Sequence, residues 1–112
     1  MRIAIMQGRL SPPETNAVQA FPRRTWADEF ARAAEAGLDA IEWIYDRHGE
    51  GANPVETDAG VARVLALADA TGVRVRSLCA DWCMEHPLLR RPRAEHAGWV
   101  ARAEWLLSLI HI

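Results

Sequence analysis

Three segments of the chain repeat one pattern of apolar and polar positions. An apolar, β-rich run is followed by a polar loop, then by an Ala-rich stretch of helical period that ends in Gly and leads into the next run. The runs are Arg2 to Met6, Leu38 to Tyr45 (LDAIEWIY) and Val73 to Ala80 (VRVRSLCA). Gly37 and Gly72 precede the second and third runs and lie about 35 positions apart, a period that suits a strand-helix unit and not a hairpin meander. The alternation predicts an α/β protein of about three βα units with parallel strands.

Local signals place the helices. Thr25-Trp26-Ala27-Asp28 has the form of a capping box and opens the first helix at Thr25. Trp26, Phe30, Ala33 and Ala34 then share a face, and Gly37 supplies the left-handed position past the end. Thr57 caps the second helix, with Val61, Val64, Leu65 and Ala68 as its buried stripe and Gly72 as its terminator. The third follows Pro92 and carries Trp99, Ala103 and Leu106 as a core stripe. Two long loops, Leu10 to Arg24 and Arg47 to Glu56, follow strands. In a strand-helix barrel they lie on the rim at the carboxyl ends of the strands, where sites are built.

Carried past Gly72, the period predicts a terminator and a fourth strand near position 107. Leu107 to Ile112 (LSLIHI) contains no terminator and resembles an in-frame reading of a sequencing-library adapter. Residues 107–112 are therefore read as an artefactual tail, and His111 is not read as a ligand. Three parallel strands cannot close an eight-stranded barrel, so an open sheet edge, exposed apolar stripes and a tendency to aggregate are expected.

Composition narrows the function classes. Half the residues are hydrophobic and 25% are charged, as in a globular protein. The net charge is −2 and the 13 basic residues, all Arg, are dispersed, which gives no footprint for nucleic acid or an anionic membrane. Without Lys, no Schiff-base lysine exists in the chain. The start MRIAIMQGRL has too short an apolar run for a signal peptide or a span, so the expected compartment is cytoplasmic.

Cys79 and Cys83 read as free thiols. With His86 they form C-x3-C-x2-H, a spacing that suits zinc in ligand type. It lacks a fourth ligand, and Cys79 falls within a strand, so zinc is disfavoured. Of the five tryptophans, Trp26, Trp43, Trp99 and Trp105 read as packing residues, while Trp82 at a strand end is placed to stack on the ring of a ligand. His48 and His96 sit in a polar loop and on a helix and attract less interest. Gly8-Arg9-Leu10-Ser11-Pro12-Pro13 makes a proline-stiffened turn and no phosphate cradle, which disfavours a nucleotide-binding site.

Met6-Gln7-Gly8-Arg9-Leu10, Gly37-Leu38-Asp39-Ala40-Ile41-Glu42-Trp43 and Ser77-Leu78-Cys79-Ala80-Asp81 resemble phrases of sugar phosphate isomerase/epimerase proteins of the xylose isomerase-like superfamily. The resemblance covers roughly residues 1–106. It implies a partial (β/α)8 TIM barrel, of which this chain is the N-terminal part. It also implies, in the intact enzyme, a divalent metal (Mn, Mg, Co or Zn) held by two Glu, an Asp and a His of later strands. That metal polarises the carbonyl of a keto-sugar while the glutamates move a proton on the neighbouring carbon. None of those ligands or catalytic residues is carried onto this sequence, so the chain alone is expected to bind no metal and to be inactive.

Substrate-binding candidates remain. Strand alternation groups Ala40, Glu42 and Ile44 on one face of the second strand, and Val73, Val75, Ser77, Cys79 and Asp81 on one face of the third. These sets are expected to face the barrel interior, with Glu42 and Asp81 toward the substrate mouth. For Glu42 an interstrand ion pair with an Arg stays open beside substrate contact; for Asp81, capping or turn duty does. Gln7 and Arg9 are candidates for hydroxyl or phosphate, with Arg9 alternatively a solvated rim residue. His86 is a candidate sugar-binding imidazole, against an ordinary loop histidine.

The expected ligand is a small sugar or sugar phosphate. Two other classes stay open: a keto-inositol dehydratase-type lyase that starts with the same proton abstraction, and a non-catalytic, flavodoxin-like α/β binding module. A three-zinc DNA-repair endonuclease of the same barrel type is disfavoured by the charge and by the shortage of histidines in the early loops.

Overall fold

The structure, a computed structural model, describes residues 1–109. Its principal elements are β1 (Ala4–Met6), α1 (Asp28–Glu35), β2 (Ala40–Ile44), α2 (Asp58–Thr71), β3 (Arg74–Cys79), α3 (Asp81–Glu85) and α4 (His96–Ser108). One-turn 3-10 helices at Pro54–Glu56, Leu88–Arg90 and Arg93–Glu95 lead into α2 and α4. The three strands form one parallel sheet in the order β1-β2-β3. β2 is central; this differs from the flavodoxin order, in which β1 lies between the other two, and is shared by a (β/α)8 barrel and by the 3-2-1 half of a doubly wound sheet.

Burial follows from the central position of β2. Ala40, Ile41, Trp43 and Ile44 are all buried, as expected of a parallel strand covered on both faces. Trp43 is the hub of the core: the rings of Phe21, Trp26 and Phe30 lie 5.9, 5.9 and 6.3 Å from it. Asn53, itself buried, accepts from Trp43 Nε1 at 3.0 Å and donates to the Ile44 carbonyl at 2.9 Å. The Arg47 to Glu56 loop is thereby tied to the strand it leaves. Asp39 joins the sheet at its other end, accepting from the Ile3 N–H at 2.8 Å through its carboxylate.

Several boundaries differ from the sequence expectation. Each strand is shorter than its apolar run, because a strand extends only as far as its neighbour offers backbone partners. The capping box at Thr25 does not form. Its hydroxyl bonds Ser11 Oγ at 2.6 Å, and α1 starts at Asp28 with no side-chain cap. Thr57 does cap α2, accepting from Gly60 N at 3.0 Å. Gly37 and Gly72 take the left-handed conformation, with φ of 76° and 77°. On α1, Ala34 is exposed and Glu29 is buried instead; on α2, Leu65 is 41% exposed, while Val64 and Ala68 are buried.

A bulge shifts the pairing of β2 with β3: Ile41 faces Val75, but Glu42 faces Ser77, leaving Arg76 as the extra residue. The face expected to hold Val75, Ser77 and Cys79 together is therefore split. Val75 and Leu78 share the face of Ile41 and Trp43, toward α2, and Ser77 and Cys79 share the face of Glu42 and Ile44. Beyond β3 the chain enters α3, absent from the sequence reading. In place of a fourth strand near 107, Leu107 and Ser108 form the last turn of α4. Residues 110–112, including His111, lie outside the described residues.

Candidate functional site

The carboxyl ends of the strands bring four of the six expected residues to one region. Met6, Glu42 and Ser77 are in register across the sheet and share a face, which Cys79 continues to the end of β3. Glu42 is half-buried, and among the described residues its carboxylate has no hydrogen-bond or ion-pair partner. The interstrand ion pair with Arg is thus absent there.

Asp81 begins α3 but does not cap it. Its carboxylate instead accepts from Gln19 Nε2 and from the Cys79 thiol, the latter at 3.4 Å. Gln19 also donates to Cys79 Sγ at 3.4 Å, which draws the Leu10 to Arg24 loop over the end of β3. Burial pushes the Cys79 thiol up; the Gln19 amide opposes this, and the charges of Asp81 and Glu42 add to it. Cys79 is therefore a protonated donor here and a poor nucleophile. Burial likewise raises the Cys83 thiol.

Gln7 is 1% exposed. Its Oε1 accepts from the Ile44 N–H at 2.8 Å, which fixes the amide, while Nε2 has no partner among the described residues. Leaving a buried amide donor unmet costs about 1–3 kcal/mol, so this group is one that a ligand oxygen would satisfy. Gln7 borders a cavity of about 240 Å³ beneath the loop, together with Arg9, Ser11, Glu14 and Gln19. Arg9 is exposed, and its Nη1 donates to the Val18 carbonyl at 2.8 Å, so it braces the loop from the solvent side.

Trp82 and His86 lie elsewhere. Trp82 is buried, with His86 stacked on it at 4.6 Å and Trp99 tilted against it at 5.9 Å. The indole face expected to receive a sugar is thus occupied by protein. The ring of His86 is held by the Trp82 carbonyl, 2.9 Å from Nδ1. Together they form one wall of a cavity against α4, separate from the cluster of Glu42, Cys79 and Asp81.

Sequence reasoning missed the residues that hold the rim in shape. Glu29, buried on α1, accepts from the N–H groups of Gly8 (2.9 Å) and Leu10 (3.0 Å). Asp46, also buried, accepts from Phe21 N at 2.9 Å and Gly49 N at 2.8 Å. The position of Glu29 next to Phe30 was the available signal, since it lies at the border of the apolar stripe. Gln19 had none, because its partners stand about 60 positions away.

Fold and site together define an α/β protein with a three-stranded parallel sheet, helices between its strands, and a polar cluster at the strands' carboxyl ends. No family model, no curated protein and no solved structure matches the chain. Among the described residues, no helix is long and apolar enough to cross a membrane.

Proposed function

We propose that this chain supplies three βα units of a (β/α)8 TIM barrel in a sugar phosphate isomerase/epimerase-like enzyme, and that its strand ends bind the hydroxyls of a small keto-sugar or sugar phosphate. The observation that carries this is the placement of Gln7 and Asp81 just past the carboxyl ends of β1 and β3, with Glu42 on the central strand level with the end of β1, in a sheet of sequentially ordered parallel strands whose carboxyl end is where barrels build their sites. Among the described residues the Glu42 carboxylate has no partner, so it can accept from a sugar hydroxyl, and Gln7 Nε2, held in place by the bond at Oε1, can donate to one. The open edges of the sheet at β1 and β3 would be met by the other strands of the barrel.

The residues present do not fit the divalent metal that the resemblance implies. Among the described residues no three of His, Cys, Asp and Glu gather where one ion could reach them. Asp81 is already engaged by Gln19 and Cys79. In this reading the chain's own residues bind and orient substrate, and the groups that move the proton next to the carbonyl stand on other strands.

The test is solvent-deuterium exchange into ketoses and ketose phosphates, followed by NMR, with the intact enzyme and with this chain alone. Exchange at the carbon beside the carbonyl is expected for the intact enzyme only. Glu42→Gln in that enzyme should raise KM about 10-fold with little change in kcat, the pattern of lost ground-state binding. Absence of exchange with the intact enzyme sinks the proposal. Loss of water from the substrate would assign the lyase alternative instead.

A further inference from the structure

We propose that the cavity between α3 and the start of α4 is a second binding site, for a phosphate group held by Arg91 and Arg102. The cavity measures about 230 Å³ and is lined by Trp82, His86, Arg91, Glu95, Trp99 and Arg102. A water's share of liquid volume is about 30 Å³, so the space admits a group of several heavy atoms.

Its polar groups are mostly spent on one another, except for the guanidiniums. Trp99 Nε1 donates to the His86 carbonyl. Because a carbonyl only accepts, His86 Nδ1 carries the proton that meets the Trp82 oxygen at 2.9 Å. Arg102 spends one N–H on Tyr45 Oη, at 2.7 Å. Its guanidinium carbon lies 5.4 Å from the Trp105 ring and 5.7 Å from the Trp82 ring, contacts that hold a cation in place without neutralising it. Its other donors have no partner among the described residues, out of the five a guanidinium carries.

Among the described residues the Arg91 guanidinium has one partner, Glu95, through a long contact of 3.5 Å. Two guanidiniums thus line a cavity with one carboxylate, with Trp82 and Trp99 on its apolar side and Arg102 and Glu95 reaching solvent. Planar forks of N–H donors on a tetrahedral oxyanion are the geometry in which Arg binds best. This site shares none of the residues of the sugar-hydroxyl reading above and stands or falls independently of it.

Calorimetric titration of the full chain with inorganic phosphate, with a ketose phosphate and with the unphosphorylated ketose tests the proposal. Saturable one-to-one binding of a phosphate-bearing probe, with Kd on the order of 0.1–1 mM, is expected. The unphosphorylated ketose should show no binding that depends on Arg91. Arg91→Gln should weaken the phosphate probe at least 5-fold, and Glu95→Gln, which removes the competing carboxylate, should tighten it about 3-fold. Arg93→Gln, an exposed arginine on the adjacent turn that does not line the cavity, should change it less than 2-fold.

Binding of inorganic phosphate assigns a free anion, and binding of the ester alone assigns an esterified one. No saturable binding of either overturns the site. So does an equal loss in Arg91→Gln and Arg93→Gln, which would mean diffuse charge attraction. Arg91 is chosen over Arg102 because its side chain takes no part in the Tyr45 network.

Discussion

Asp81 and Trp82 are adjacent in the chain, at the end of the same strand, yet they serve different surfaces. Asp81 joins Cys79 and Gln19 in a small polar cluster, half-buried and fed by the long loop after β1. Trp82 joins His86, Trp99 and Arg102 in an aromatic and cationic cluster against α4. The cause is α3: a helix that begins at Asp81 turns each successive side chain by about 100°, so neighbours diverge. The polar cluster is held by hydrogen bonds of modest net worth, the aromatic one by burial. They should therefore respond very differently to mutation.

Trp82→Ala separates them most strongly. Removing a buried aromatic should cost about 3–5 kcal/mol in urea denaturation, against about 1 kcal/mol for Asp81→Ala. Equal losses would mean that the two surfaces are one structural unit. Glu29→Ala should come next, at about 2–3 kcal/mol, because the N–H groups of Gly8 and Leu10 would lose their acceptor beside the polar cluster.

Tyr45 sharpens the comparison from the aromatic side. Burial foremost, with the Glu56 carboxylate adding, pushes its phenol up to about 12, while the charge of Arg102 pulls it down. The unfolded value is about 10. The folded state holds this proton more tightly, so its contribution to stability is complete below about pH 10 and is lost as pH rises toward 12. Tyr45 is the single tyrosine, so near-ultraviolet absorbance reads it directly, and Arg102→Gln should raise it further.

Glu42→Gln should produce the smallest stability change, within about 0.5 kcal/mol, since its carboxylate has no partner to lose among the described residues. A large loss in melting temperature would reveal a structural duty for Glu42 and remove it from the binding reading.

The sequence pattern located all three strands, the caps at Thr57, Gly37 and Gly72, and the burial of Leu106 on α4, with Trp99 and Ala103 half-buried. It misplaced Thr25, because the hydroxyl bonds Ser11 at the far end of the same β1–α1 connection and not the nearest helix amides. It also misassigned Val75 and Leu65. Strict alternation assumes an unbroken ladder, and the bulge beside Glu42 breaks it; on α2 the burial narrows to Val64 and Ala68 and leaves Leu65 exposed.

The same division holds for the site. Gln7 and Asp81 were legible as polar residues past strand ends and Glu42 as an acid within the second strand, properties of position in the repeat. That Gln19 bonds Asp81, that Gln7 Nε2 has no partner among the described residues, and that Trp82 and His86 close on each other were not. Period, capping and left-handed glycines arise between residues a few positions apart, and the order of residues carries them in full. Which side chains meet depends on contacts between segments far apart in the chain, and these exist only once strands, loop and helices have packed.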